Sequence, residues 1–124
     1  MSYILLVEDN QATADMEIRI LEAGGYTVRH YERAMEAARV ARQDRPDLIL
    51  MDFNLPDIDG YEVARRLRAS NKRELKTVPI IAVTANALKG DAEKALEAGC
   101  DVYMSKPINI RELWARVEAF IPTP

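Results

Sequence analysis

Cysteine is nearly absent: Cys100 stands alone among 124 residues, so no internal disulfide can staple the chain. It lies beside Gly99 in an apolar turn and reads as a buried structural thiol. Aromatic residues are scarce too, at 6%, which leaves a core built from aliphatic side chains. There is no excess of positive charge; the formal net charge is −3, with no basic field to attract nucleic acid or an anionic membrane. No apolar run approaches the roughly 20 residues that cross a bilayer, and Met1-Ser2-Tyr3 leads directly into an apolar run, leaving no room for a signal peptide. A cytoplasmic protein is expected. Linkers and low-complexity segments are also missing, so residues 1–124 read as a single domain, long enough to bury a core.

What the chain does have is a set of short apolar runs, each followed by chemistry. Ile4-Leu5-Leu6-Val7 precedes Glu8-Asp9, Leu48-Ile49-Leu50-Met51 precedes Asp52, Ile80-Ile81-Ala82-Val83 precedes Thr84, and Val102-Tyr103-Met104 precedes Ser105-Lys106. Continuous apolar runs of this length fit strands covered on both faces. A further run, Tyr26 to His30, fills the place of strand two. Helical spacing lies between the runs: Ala34, Ala37, Ala38 and Ala41 with Pro46 beyond; about Asp59 through Val63, Ala64 and Leu67; Leu88, Ala92, Ala95 and Leu96 with Gly99 as the stop; and Ile110, Leu113, Trp114, Val117 and Ile121 after Asn109 as N-cap. Asn71 to Thr77 is polar and reads as a loop. Strand and helix in alternation predict a doubly wound parallel α/β sheet, whose carboxyl edge gathers Glu8, Asp9, Asp52 and Lys106 where such sheets bind ligands.

One segment resists its periodicity. From Ala12 to Ile20 apolar and polar residues alternate, the mark of a strand. The stretch from Asn10 to Ala23 is too long for a typical strand, Gly24-Gly25 supplies a helix stop, and a parallel sheet needs a crossover here. A helix is expected.

From Ile4 to Ile121 the sequence resembles the response-regulator receiver domains, the CheY-like family. The resemblance rests on Glu8-Asp9-Asn10, on Asp52-Phe53-Asn54-Leu55-Pro56-Asp57-Ile58-Asp59-Gly60, on Thr84-Ala85-Asn86, and on Lys106-Pro107, in this order and each at a strand end. It implies a flavodoxin-like (βα)5 sheet with strand order 2-1-3-4-5. It implies Mg²⁺ (or Mn²⁺) held by Asp9, Asp52 and the backbone carbonyl of Asn54, with Glu8 acting through metal-bound water. An all-oxygen site open to water suits Mg²⁺, and a divalent cation relieves the repulsion of crowded carboxylates. Asp52 is then the phosphoacceptor. Lys106, the Thr84 hydroxyl and the Ala85 N–H complete the charge balance around the moving group.

The same resemblance makes Thr84 and Tyr103 a switch pair read out on the fourth helix, fifth strand and fifth helix. It makes Asn54 and Asn86 the setters of the dephosphorylation rate, giving a lifetime of seconds to minutes, and Lys106-Pro107 a cis peptide that aims the lysine inward. Partners would be a sensor histidine kinase or a histidine phosphotransfer protein and a downstream protein target, contacted through Leu88, Tyr103 and Trp114. The chain would act as a monomer or a weak phosphorylation-dependent dimer, a signalling switch rather than an enzyme in the ordinary sense. His30, distant in sequence from the edge motifs, reads as a structural histidine and not as a phospho-donor.

Two alternatives are weighed. A phosphatase of the haloacid dehalogenase type also uses an Asp after an apolar strand, but its motif wants a second Asp where Asn54 stands, and a cap domain. The other is a receiver cut from a hybrid histidine kinase: the run Thr84 to Asp91 resembles receivers of hybrid kinases and of DivK-like regulators more than those of transcription factors. The start at Met1 favours a single-domain regulator.

Overall fold

The computed structural model describes residues 2–53, 60–84 and 91–121. Five strands, β1 (Ile4–Val7), β2 (Val28–Tyr31), β3 (Leu48–Asp52), β4 (Ile80–Thr84) and β5 (Val102–Ser105), form one parallel sheet in the order β2-β1-β3-β4-β5. Among them run α1 (Gln11–Ala23), α2 (Ala34–Gln43), α3 (Gly60–Arg68), α4 (Arg73–Thr77), α5 (Asp91–Glu97) and α6 (Ile110–Phe120). The fold class and the strand order agree with the expectation.

Alternation along the strands explains the two apolar layers, because successive side chains leave a strand on opposite faces. Leu5, Val7, Ile49, Met51, Ile80 and Ala82 pack with the alanines of α2 and with Val63, Ala64 and Leu67 of α3. Ile4, Leu6, Leu48, Leu50, Ile81, Val83 and Met104 pack on the other face with Ala14, Ile20 and Leu21 of α1 and with Leu113 and Val117 of α6. The central strands β1, β3 and β4 are buried throughout. The expectation that the run Val102-Tyr103-Met104 is covered on both faces needs correction: β5 is an edge strand and Val102 and Tyr103 are only half-buried.

Residues 10–23 resolve as helix. Asn10 caps α1 by accepting from the Thr13 N–H at 2.9 Å, and Gly25, at φ 92°, takes the left-handed position that ends the segment. Asn109 caps α6 in the same way through Glu112 N–H at 3.0 Å. At the end of α5 the Cys100 N–H reaches back to Ala95 O at 3.0 Å while Gly99 takes φ 111°.

Three local readings are corrected. The segment expected as a loop from Asn71 to Thr77 contains α4, a short polar helix pinned by one buried apolar side chain, Leu75. Leu96, placed by spacing on the core face, is 51% exposed, and the interior is met by Ala95 and Ala98. Ile110 and Trp114 likewise stand outside the buried face of α6, which consists of Leu113 and Val117. Arg68 then clasps the far edge together: its guanidinium donates to Gly99 O at 2.9 Å, Leu75 O at 3.1 Å and Asp101 Oδ2 at 3.0 Å. Asp101 Oδ2 also accepts from the Ile80 N–H at 2.9 Å.

Gly60 opens α3 against the ring of Phe53; a Cβ there would lie 2.4 Å from Cδ1 and 2.6 Å from Cγ. The ring has little room to yield, since Phe53 is buried and packs edge-on to Tyr61 at 4.7 Å. Gly60→Ala is therefore expected to cost about 1–3 kcal/mol through overpacking, read as a lower urea midpoint with an unchanged slope. An unchanged midpoint would show that Phe53 has another place to go.

Candidate functional site

The strand alternation that builds the core also sorts the side chains at its carboxyl edge. Glu8 continues the face of Ile4 and Leu6, Asp52 that of Leu48 and Leu50, and Lys106 that of Met104, so all three leave the sheet on the side of α1 and α6. Thr84 follows Ile80 and Ala82 on the opposite face, where Tyr103 also packs. In the β4–β5 register Ala82 faces Tyr103 and Thr84 faces Ser105, which puts Thr84 and Tyr103 on neighbouring strands and on one face.

The chain is held tightly at these exits. Glu8 N–H donates to Tyr31 O at 3.0 Å, Phe53 N–H to Val83 O at 2.9 Å, and Lys106 N–H to Thr84 O at 2.8 Å, each extending the ladder one step beyond its strand. The Lys106–Pro107 peptide bond is cis. His30 closes the β1–β2 end by donating from Nε2 to Glu8 O at 2.7 Å. It is distant in sequence yet adjacent in space, and it serves the backbone as a structural group.

Three carboxylates and one ammonium meet here. Glu8 and Asp52 are buried, and Asp9 lies exposed at the mouth; one oxygen from each falls within 4.8 Å of the others. Lys106 Nζ donates to Glu8 Oε1 at 2.8 Å and reaches Asp52 Oδ2 at 3.3 Å. The second oxygen of Glu8, Oε2, accepts from the Asn10 N–H at 3.1 Å, tying the cap of α1 to the acidic group. Burial pushes the Glu8 carboxyl above the usual carboxylate range, and the Lys106 hydrogen bond offsets this only in part. For Lys106, burial opposes the charge, but the bond to Glu8 and the charge of Asp52 outweigh it and hold the ammonium above the ordinary lysine range.

Such a group fits a hard divalent cation. Its donors are all oxygen, their spread is near the roughly 4 Å between opposite ligands of octahedral Mg²⁺ with 2.0–2.1 Å bonds, and the exposed side at Asp9 admits water. One lysine is too little cation for three clustered carboxylates.

A fourth carboxyl lies behind the first three. Glu17 occupies a core-facing position of α1, with Ala14, Ile20 and Leu21, and is 1% exposed. Burial, then the nearby charge of Glu8, pushes its carboxyl up to about 8. Sequence reasoning passed over it; the signal was an acidic residue three after Ala14 and three before Ile20 on one helix face.

Of the other expected site residues, Thr84 is buried and Tyr103 half-buried. Asn54, Ala85, Asn86 and Leu88 lie outside the described residues. Trp114 is 36% exposed, yet its indole N–H donates to Ile20 O at 2.7 Å, so its polar edge is committed to α1. Cys100 is buried, and burial pushes its thiol up to about 12, in keeping with an inert structural cysteine. No helix among the described residues is long and apolar enough to cross a membrane.

The family model of the response regulator receiver domain matches residues 4–118. This chain belongs to that family. As a receiver domain of the two-component systems it shares 39% identity over 118 residues with the polar-differentiation response regulator DivK of Brucella anthropi, covering 95% of this chain and 94% of that one. Among solved structures it is similar to the receiver domain of a sensor histidine kinase from Pseudomonas aeruginosa, a structure with a magnesium ion coordinated in the active site cleft; identity is 42%, TM-score 0.87, and coverage 97% of each chain. The chemotaxis response regulator CheY4 of Vibrio cholerae superimposes equally well, with TM-score 0.87 at 25% identity over 98% of this receiver and 99% of that chain. Membership of a signalling-switch family matched over residues 4–118 favours the receiver reading over the phosphatase alternative.

Proposed function

We propose that this receiver domain accepts a phosphoryl group on Asp52 from a phosphohistidine donor, either a sensor histidine kinase or a histidine phosphotransfer protein, in a Mg²⁺-dependent reaction. The observation that carries the proposal is the single Lys106 ammonium spanning the buried carboxylates of Glu8 and Asp52, with Asp9 at the open side. Glu8, Asp9, Asp52 and the carbonyl of Asn54 would hold the metal, Glu8 through water. When bound, Mg²⁺ (or Mn²⁺) supplies positive charge to the acidic cluster and to the phosphoryl oxygens.

An Asp52 oxygen forms the new bond to phosphorus while the phosphorus–nitrogen bond of the donor breaks, and the electron pair leaves with the imidazole. Lys106 releases part of its hold on the carboxylates to meet phosphoryl oxygen. The Thr84 hydroxyl and the Ala85 N–H donate to another oxygen, the stabilisation by fixed donors that such a transfer needs. Thr84 and Tyr103, neighbours on one sheet face, then move together and alter the surface of α5, β5 and α6, where a downstream protein would read the state. Asn54 and Asn86, by the family resemblance, would set the rate at which water returns Asp52 to its free form. The reading extends to a single-domain regulator, monomeric or weakly dimeric when phosphorylated.

The test is intact-protein mass after incubation with acetyl phosphate and Mg²⁺. One added phosphoryl group is expected in the parent, and none in Asp52→Asn or after chelation of the metal. Equal labelling of Asp52→Asn would move the acceptor elsewhere.

A further inference from the structure

We infer that a cavity at the amino edge of the sheet is a binding site for a primary alkylammonium group, with Asp47 as its counter-charge. The cavity lies at the end of the sheet opposite Asp52 and takes no part in the reaction above.

Four segments meet there: the residues ahead of β1, the turn between α1 and β2, the residue ahead of β3, and the end of α6. Tyr3, Gly25, Tyr26, Thr27, Asp47 and Ile121 line a space of about 140 Å³. Backbone bonds fix its walls: Ile4 N–H donates to Thr27 O at 2.8 Å and Asp47 N–H to Tyr3 O at 2.9 Å. Both phenols are engaged as well, Tyr26 donating to Ile121 O at 3.0 Å and Tyr3 to Asp44 O. The two buried rings are thus held as apolar walls, and the site is formed before any ligand arrives.

Asp47 supplies the only charge in this lining among the described residues. Its Oδ1 makes a long, exposed contact with Arg45 at 3.5 Å, while Oδ2 is buried and accepts no hydrogen bond from a described residue. A carboxylate oxygen left in that position costs free energy until a donor reaches it. The last torsion of an aspartate is broad, so a small turn presents the oxygen to the cavity. The group that suits it brings a donor and a positive charge on an apolar stem.

Size and geometry narrow the choice. The volume is close to that of a cavity of about 150 Å³ that holds benzene, room for about six heavy atoms. A guanidinium on its stem is larger and is best met by both oxygens in one plane, and Oδ1 is turned toward Arg45. An ammonium is a compact point donor that one oxygen satisfies, and its methylenes fit between the rings. A free alkylamine and the lysine side chain of a partner protein share this chemistry.

The experiment titrates n-butylammonium chloride into the whole ¹⁵N-labelled chain at constant ionic strength and follows the amide resonances. The uncharged 1-butanol and Nα-acetyl-lysine amide are run in parallel, and Asp47→Asn serves as a variant of the same shape. Butylammonium is expected to give saturable shifts at Gly25, Thr27 and Asp47, at roughly millimolar affinity for so small a ligand. Butanol in the parent, and butylammonium in Asp47→Asn, are expected to bind about tenfold more weakly, the scale of a lost hydrogen bond to a charged group. Saturation by the lysine amide at the same residues would name a partner's lysine as the occupant, and saturation by butylammonium alone a free alkylamine. No saturable shift, or butanol binding as tightly as butylammonium, would overturn the inference; both are read in the parent and do not depend on the variant.

Discussion

With divalent metal chelated, Lys106→Met is expected to lose about 2–3 kcal/mol of folding stability at pH 8 and less at pH 5. Lys106 is the one cation bonded to Glu8 and Asp52 among the described residues, and both carboxylates are buried. Removing one member of a buried ion pair leaves the other charge without compensation, which costs more than the pair contributed.

The pH dependence follows from Glu8. Its folded carboxyl already lies above the ordinary value of 4.5 because burial outweighs Lys106, and loss of Lys106 raises it further. Between the unfolded and the folded value the native state binds more protons than the unfolded chain, so stability falls as pH rises through that window. As pH falls through that window the variant protonates Glu8 and sheds part of the cost. Urea titrations at the two pH values measure this, and MgCl₂ should restore part of the loss at pH 8. Equal losses at pH 5 and pH 8 would show that Lys106 acts by packing and not by charge.

Glu17→Leu is expected to move stability the other way, making the protein about 2–4 kcal/mol more stable than the parent at pH 8, with the gain fading toward pH 5. The Glu17 carboxyl sits at about 8 against an ordinary value of 4.5. A raised folded value stabilises fully below 4.5 and loses that contribution as pH climbs toward 8. The parent's stability should therefore slope downward across this interval, and the variant's should be flatter. Chemical melts in chelator at half-unit pH steps read the slope directly; a parent curve flat from pH 5 to pH 8 would contradict the assignment.

The sheet and the acidic cluster were legible because parallel strands make both visible in one line of sequence. A buried central strand is a continuous apolar run, and whatever follows it lies at the carboxyl edge; Val7 to Glu8 and Met51 to Asp52 show this directly. The first helix was obscured by one buried acidic residue. Glu17 takes a place that spacing reserves for an apolar side chain, while Met16 beside it is 43% exposed, so hydrophobicity alternated where burial did not. The short α4 escaped because a helix anchored by Leu75 alone has no repeat to detect. Leu96 and Ile110 misled in the opposite sense, since spacing assigns a face but not how far the neighbouring layer extends. The nearness of His30 to Glu8 depends on β2 pairing with β1, a relation between segments that periodicity within either cannot express.

The indole of Trp114, bonded to Ile20 O across the α1–α6 seam, has an optical consequence. The sequence contains one tryptophan, so the protein's ultraviolet-excited emission beyond tyrosine comes from a single spot where the last helix rests on the first. The fluorophore is a gauge of whether those two helices remain docked.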